Sequence, residues 1–340
     1  MDGQERFGLT EWKSLSLDFT QHRFGRLQKS GVMSVLPLIG PDRPEQFATP
    51  LSGLKLSGVE GYGQVEMENR GGGNGDGGVG IVPLHIGYIQ DGAQNHALCR
   101  SAFIGSGQKV SFRDACCVQE SQGGYLTAAE QWFFVLPLPL REEALHLRGV
   151  ENYGKLWQGI STLNEELGLP GRGHLEQIIC RNRPLLTQFA SRFELLAGQT
   201  GALFFLHDKL VGIEMAPNAG YFSELWPALV CFCYGVAAMQ LESQNSGQTY
   251  VRTEPLRAAN LDELRCELSK SRRTAIARIE DSLRTTGPQT FEICEEERYL
   301  DLQLSTALGR DFAGQIVQQQ GRLVYASLFA RRQYLYGIAA

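Results

Sequence analysis

The sequence predicts an α+β fold in which a strand-rich N-terminal half packs with a C-terminal half of helices and hairpins. Three observations carry this expectation. Short apolar runs of strand length fill residues 31–148, helical periodicity begins only after them, and no regular strand–helix–strand alternation joins the two. The 340 residues, 43% hydrophobic and 20% charged, have the composition of a globular chain, which excludes general disorder. No proline-rich or charged linker divides the halves. Residues 31–330 are therefore expected to form one domain, β-rich over 31–148 and mixed over 149–330, with an extension at 1–30 and a tail at 331–340.

In the first half, residues 32–39 and 51–59 are apolar runs, and 64–69 alternates around Val65 and Met67. Residues 70–80 are glycine-rich and read as a hairpin connection. They lack the Lys-Ser/Thr ending and following helix that a phosphate-binding loop requires. Residues 79–86, 97–104, 109–112 and 132–140 continue the strand pattern, with a turn at Gly105-Ser106-Gly107.

In the second half, 150–168 reads as a helix stopped by Gly168-Leu169-Pro170-Gly171, and 174–196 as another interrupted at Pro184. Residues 202–206 and 210–215 flank His207-Asp208-Lys209 as a hairpin. Residues 222–241 are apolar all round, which predicts a central buried helix. The clearest helix covers 261–286. Asn260 and Glu263 have capping-box spacing, Leu261, Leu264, Leu268, Ile276, Ile279 and Leu283 form one stripe expected to be buried, and Lys270, Arg272, Arg273 and Arg278 decorate a solvated face. Residues 312–317 and 323–329 predict a last hairpin.

Several function classes are disfavoured. Thirty-two basic against 37 acidic residues give a net charge of -5, so nucleic-acid binding is not expected, although Arg331-Arg332 with Tyr334 and Tyr336 would suit it locally. Apolar stretches are interrupted well before the length that spans a bilayer, and Met1–Arg6 has no secretory character. Eight cysteines include no C-x-x-C pair and no zinc spacing, so neither a metal nor a cofactor is expected, and a reduced, cytoplasmic protein is.

Several segments together resemble a little-characterised bacterial family named for its association with ADP-ribosyl glycohydrolases and rhodanese-like phosphatases. Val35-Leu36-Pro37-Leu38 resembles the start of the family pattern, and Glu60 resembles a family acid preceding the strand that here falls at 64–69. Gly87-Tyr88-Ile89-Gln90-Asp91-Gly92-Ala93-Gln94-Asn95-His96 resembles its strand, glycine turn and Gln-Asn-Arg motif, and Cys117-Val118-Gln119-Glu120 resembles its Cys-Val-Glu motif. The likeness extends over roughly residues 30–330. The chain departs from the pattern at charged positions. Ala93 replaces a lysine, His96 an arginine, Gln119 the motif acid, Gly124-Tyr125 an Arg-Trp pair, and Tyr325 a histidine.

The residues themselves leave two readings open. Gln94 and Asn95, following the bend at Gly92, offer paired amides suited to a carbonyl, a ribose edge or a base. His96 suits proton transfer near neutral pH, Glu120 suits a base once buried, and Cys117 suits a nucleophile beside a base or positive field. The plainer reading is a turn whose amides satisfy backbone groups, with His96 and Glu120 solvated and Cys117 packed as a small hydrophobe. The resemblance implies binding or processing of an ADP-ribose- or NAD-derived small molecule in a multi-gene bacterial system, and the lost motif charges imply a catalytically degenerate member. The alternative is a non-enzymatic interaction or scaffold subunit with a protein partner or a second copy of itself, the aromatic tail Tyr334-Leu335-Tyr336 serving as a docking segment.

Overall fold

A computed structural model of the chain describes residues 15, 19–41, 46–71, 78–89, 94–120, 132–244, 258–286 and 289–339. Its central feature is an antiparallel nine-stranded sheet. In spatial order the strands are Arg23–Phe24, Met33–Ile39, Gln199–Leu206, Lys209–Met215, Arg322–Ala330, Phe312–Gln319, Leu302–Gly309 and Phe291–Tyr299, with Gln28–Ser30 also pairing with Met33–Ile39. The fold is α+β, as the sequence predicts. The C-terminal hairpins and an N-terminal strand thus share one sheet, which joins the two ends of the chain.

Three small sheets come wholly from the first half: Phe47–Ala48 with Val79–Ile81 and Phe103–Ile104; Leu54–Gly61 with Gln64–Asn69 and Lys109–Phe112; and Ile86–Ile89 with His96–Ala97, Cys116–Cys117 and Trp132–Val135. Alternation explains the second of these. Val65 and Met67 face the core, while Glu66 points outward and takes a 2.8 Å ion pair from Lys109 on the neighbouring strand.

Helix Ala219–Pro227 starts on the Asn218 side chain, which accepts from the Tyr221 N–H at 2.6 Å. Pro227 has no N–H for the preceding turn. The next six residues, Ala228–Cys233, widen to π geometry before an α-helix resumes at Tyr234–Gln244. Contrary to the expectation of no apolar stretch of that length, this is the one helical stretch among the described residues long and apolar enough to cross a membrane. Its most apolar window is 72% buried inside the protein, where Tyr234 stacks on Phe204 at 3.9 Å.

Several sequence expectations are corrected. Residues 132–140 are a strand only to Val135; helix Leu138–His146 then begins after Pro137. The runs 79–86 and 97–104 each split between two sheets, the first where His85 takes a positive φ of 63°. Helices shorten to Trp157–Glu166 and Leu175–Arg192. Phe291–Tyr299 and Leu302–Gly309 form a further hairpin outside the strands the sequence predicts. Helix Leu261–Thr286 has its expected cap, Asn260 accepting from the Glu263 N–H at 2.9 Å. Its stripe is buried only at Ile279 and Leu283, however, because the helix overhangs the body: Leu261 is 72% and Leu268 50% exposed.

Candidate functional site

The sheet built from Ile86–Ile89, His96–Ala97 and Cys116–Cys117 brings the two resemblance motifs together. Cys117 lies opposite His96, and the Val118 N–H donates to the Asn95 carbonyl at 2.9 Å. The same strand continues against residues 173–176. Leu175 N–H donates to Val118, Glu120 N–H donates to Gly173, and Gln119 bridges to His174. Three segments distant in sequence thereby meet at one sheet edge.

Their side chains form a polar cluster. Asn95 Nδ2 donates to Gln119 Oε1 at 2.6 Å and to Glu176 Oε2 at 3.1 Å, while Gln119 Nε2 donates to Glu176 Oε1. His174 Nδ1 lies 3.5 Å from that same oxygen, and Glu120 Oε2 accepts from the Gly173 N–H at 3.1 Å. Glu176 sits in the first turn of helix Leu175–Arg192, where the N-terminal end of the helix dipole favours an anion. Asn95 and Gln119 are buried behind it, whereas Glu176 and His174 are partly open to solvent. A carboxylate steadied by two amides keeps lone pairs for hydroxyl donors, and the imidazole adds a second polar contact.

Aromatic rings flank this edge. Tyr62 and Tyr153 lie 5.0 Å apart, Tyr153 meets Trp157 edge-on at 5.6 Å, and both tyrosines are 40–50% exposed: Tyr62 50%, Tyr153 42%. The strand fixes them. Trp157 Nε1 donates to the Cys117 carbonyl, the Tyr153 carbonyl accepts from the Cys117 N–H, and Gly63, at φ 75°, leaves room for the Tyr153 side chain. These half-exposed rings, anchored at Cys117 two residues along the strand from Gln119, are suited to a planar heterocycle.

The residues singled out by sequence occupy different places. Asn95 and Glu120 belong to the cluster. Gln94 is buried and its carbonyl faces His96 Nδ1 at 3.2 Å; Gly92 lies outside the described residues. His96 is buried, and its Nε2 accepts from the Gly63 N–H at 3.2 Å, which leaves Nδ1 as the protonated nitrogen. Burial pulls its pKa from 6.5 to about 4, only partly opposed by the Gln94 carbonyl. Cys117 donates to the Gln119 carbonyl, and burial pushes its thiol pKa up. His174, Glu176, Tyr62, Tyr153 and Trp157 were not anticipated. The one local signal was an acid just inside a helix start, and nothing in the sequence joins it to Asn95.

A second polar group lies in the core. Arg141 Nη1 pairs with Glu214 Oε1 at 2.6 Å, Nη2 donates to Ser327 Oγ at 2.6 Å, and Nε donates to His85 Nδ1 at 3.2 Å. Tyr234 and Ser327 donate to the two Glu214 oxygens, and the guanidinium lies 4.5 Å from the Phe329 ring centre. In register across the sheet, Thr306, Gln315, Ser327 and Glu214 form a polar row that Ser101 N–H and Arg141 engage from above. It ties the small sheets to the large one.

The geometry defines a class: an α+β domain carrying a carboxylate–amide cluster on a small side sheet, with no His/Cys/Asp/Glu trio placed to hold a metal among the described residues. The family model for the ARG and Rhodanese-Phosphatase-superfamily-associated Protein domain matches residues 21–334, and the chain belongs to that family. The family name ties it to ADP-ribosylglycohydrolase and rhodanese-phosphatase systems. No curated protein and no solved structure matches the chain.

Proposed function

We propose that this protein binds an ADP-ribose- or NAD-derived small molecule at the edge formed by Asn95, Gln119, His174 and Glu176, within a cytoplasmic multi-gene bacterial system. The observation that carries this reading is the partly exposed Glu176 carboxylate, held by two amides, one of them, Gln119, on the same strand that anchors the exposed Tyr62–Tyr153 pair at Cys117. A carboxylate suits the vicinal hydroxyls of a ribose, and aromatic faces suit an adenine or nicotinamide ring. Gln94 and His96 contribute by shaping the strand end. This is recognition rather than chemistry by His96 or Cys117: the His96 Nε2 lone pair is taken by the Gly63 N–H and the Cys117 S–H by the Gln119 carbonyl, and burial keeps the first a weak base and the second a thiol.

A second reading, an interaction or scaffold subunit, is favoured by the exposure of Leu261 and Leu268 on an overhanging helix. A thermal-shift panel of ADP-ribose, NAD, AMP and ribose 5-phosphate separates the two. A ligand at a hundred times its dissociation constant stabilises the fold by about 2.7 kcal/mol. Silence across the panel together with a co-purifying partner supports the scaffold.

A further inference from the structure

The buried cysteine pair Cys99 and Cys116 has no part in the proposed ligand site. Their sulfur atoms lie 3.1 Å apart, closer than unbonded sulfurs usually pack, and both side chains are buried. Cys116 belongs to the strand that continues to Gln119, and Cys99 follows the strand His96–Ala97 that pairs with it. Lys155 stands beside them. Its ammonium donates to the carbonyls of Asp114, Leu147 and Val150 at 2.8, 2.8 and 2.6 Å, so it cannot swing away without breaking three hydrogen bonds. From the geometry we infer that Cys99 and Cys116 are a redox-active dithiol that closes to a disulfide on reaction with a small peroxide.

The two thiols are not equivalent. The Cys116 S–H hydrogen bond, aided by the Lys155 charge, pulls the Cys99 thiol below its ordinary pKa against burial and Asp114, and the same contact with burial pushes Cys116 up. Cys99, the sulfur that accepts from Cys116 and that the Lys155 ammonium also contacts, is assigned as the nucleophile, and the dimedone trap below tests that assignment. Its thiolate sulfur attacks a peroxide oxygen; an S–O bond forms, the O–O bond breaks, and hydroxide leaves and takes a proton as water. The Cys116 sulfur then attacks the sulfenic sulfur; S–S forms, S–O breaks, and the second water departs with the Cys116 proton. Two thiols are oxidised and one peroxide is reduced to two waters. Closure needs a sulfur movement of about 1 Å, to the normal bond length of roughly 2 Å. Cys117 does not compete, because its S–H is committed to the Gln119 carbonyl. The largely exposed turn 148–153 is tied to the residues beside the pair, through the Gly149 N–H to Asp114 and the Val150 carbonyl to Lys155, and local opening of such surface turns is the route by which a molecule the size of hydrogen peroxide reaches buried sulfurs.

The test is non-reducing peptide mapping of the full chain after hydrogen peroxide and alkylation, in wild type and in Cys117→Ser, which assigns the bond within the second peptide. The expected result is a linked pair of tryptic peptides, one ending at Arg100 and one beginning at Asp114, present in both proteins and lost on treatment with dithiothreitol. Cys116→Ser should instead trap a dimedone adduct on Cys99. Oxidation confined to the exposed Cys180, Cys266 and Cys294, with Cys99 and Cys116 still fully alkylatable after unfolding, overturns the inference, and that readout needs no variant to fold.

Discussion

The Arg141 guanidinium and the Glu214 carboxylate meet at 2.6 Å in the interior, the arginine completely buried, at the place where helix Leu138–His146 lies over the large sheet. Neither charge is stable there alone, because desolvating an ion costs several kcal/mol unless a partner and hydrogen bonds compensate. Ser327, Tyr234 and His85 supply those bonds. Arg141→Met is expected to cost about 3–5 kcal/mol by leaving Glu214 uncompensated. Combining it with Glu214→Gln should restore a large part of the loss. Urea denaturation of the two variants checks this; a double variant no more stable than the single one contradicts it.

His96 predicts the direction of acid sensitivity. Its pKa in the folded protein is about 4 against 6.5 when unperturbed, so the unfolded chain binds the proton more readily. Stability is then full above about pH 6.5 and falls as pH drops towards 4, by about 3 kcal/mol from this one group. His85 adds in the same direction, because burial, and then the Arg141 charge, hold its pKa well below the usual value. His96→Gln is expected to be less stable than wild type at about pH 7 but to lose less on acidification. Parallel stability curves for the two proteins would contradict the assignment.

Gly212 marks a close approach between sheet and helix. A Cβ there would run into the Tyr234 hydroxyl, which donates to Glu214 and whose ring stacks on Phe204. Gly212→Ala is expected to destabilise by about 1–3 kcal/mol through overpacking. Differential scanning calorimetry reads this directly, and an unchanged Tm contradicts it.

The overhanging helix predicts the opposite. Leu261→Lys and Leu268→Lys remove no buried contact, so each should change stability by no more than about 0.5 kcal/mol. A loss comparable to that of a core variant would show that the segment packs against the body in solution.

The contrast explains what was legible in the sequence. Strands Gln64–Asn69 and Lys109–Phe112 and helix Leu261–Thr286 follow from local alternation, period and a capping pair, all of which act within a few residues. Helix Leu138–His146 is hidden in the sequence because Pro137 and Pro139 fall inside the apolar run 132–140 and its charges Arg141, Glu142 and Glu143 come in succession rather than on one face. Strand Phe291–Tyr299 escaped because Glu295–Glu297 lie on a solvated sheet edge, where charge replaces alternation. The leucine stripe is less buried than its period predicts, because period alone does not say whether a body lies beneath it. At the site, Asn95 and Glu120 were visible through their motifs. Glu176 and His174 join them only through tertiary pairing of the strand at 118–120 with residues 173–175.

The most direct measurement is calorimetric titration of ADP-ribose into wild type, Glu176→Ala and Tyr153→Ala. Saturable one-to-one binding to the wild type is expected, weakened about tenfold or more by each substitution, since a lost charge-assisted bond or ring stack is worth roughly 1–3 kcal/mol. Heats for both variants indistinguishable from those of a binding wild type, or no heat from the wild type at millimolar ligand, would contradict it.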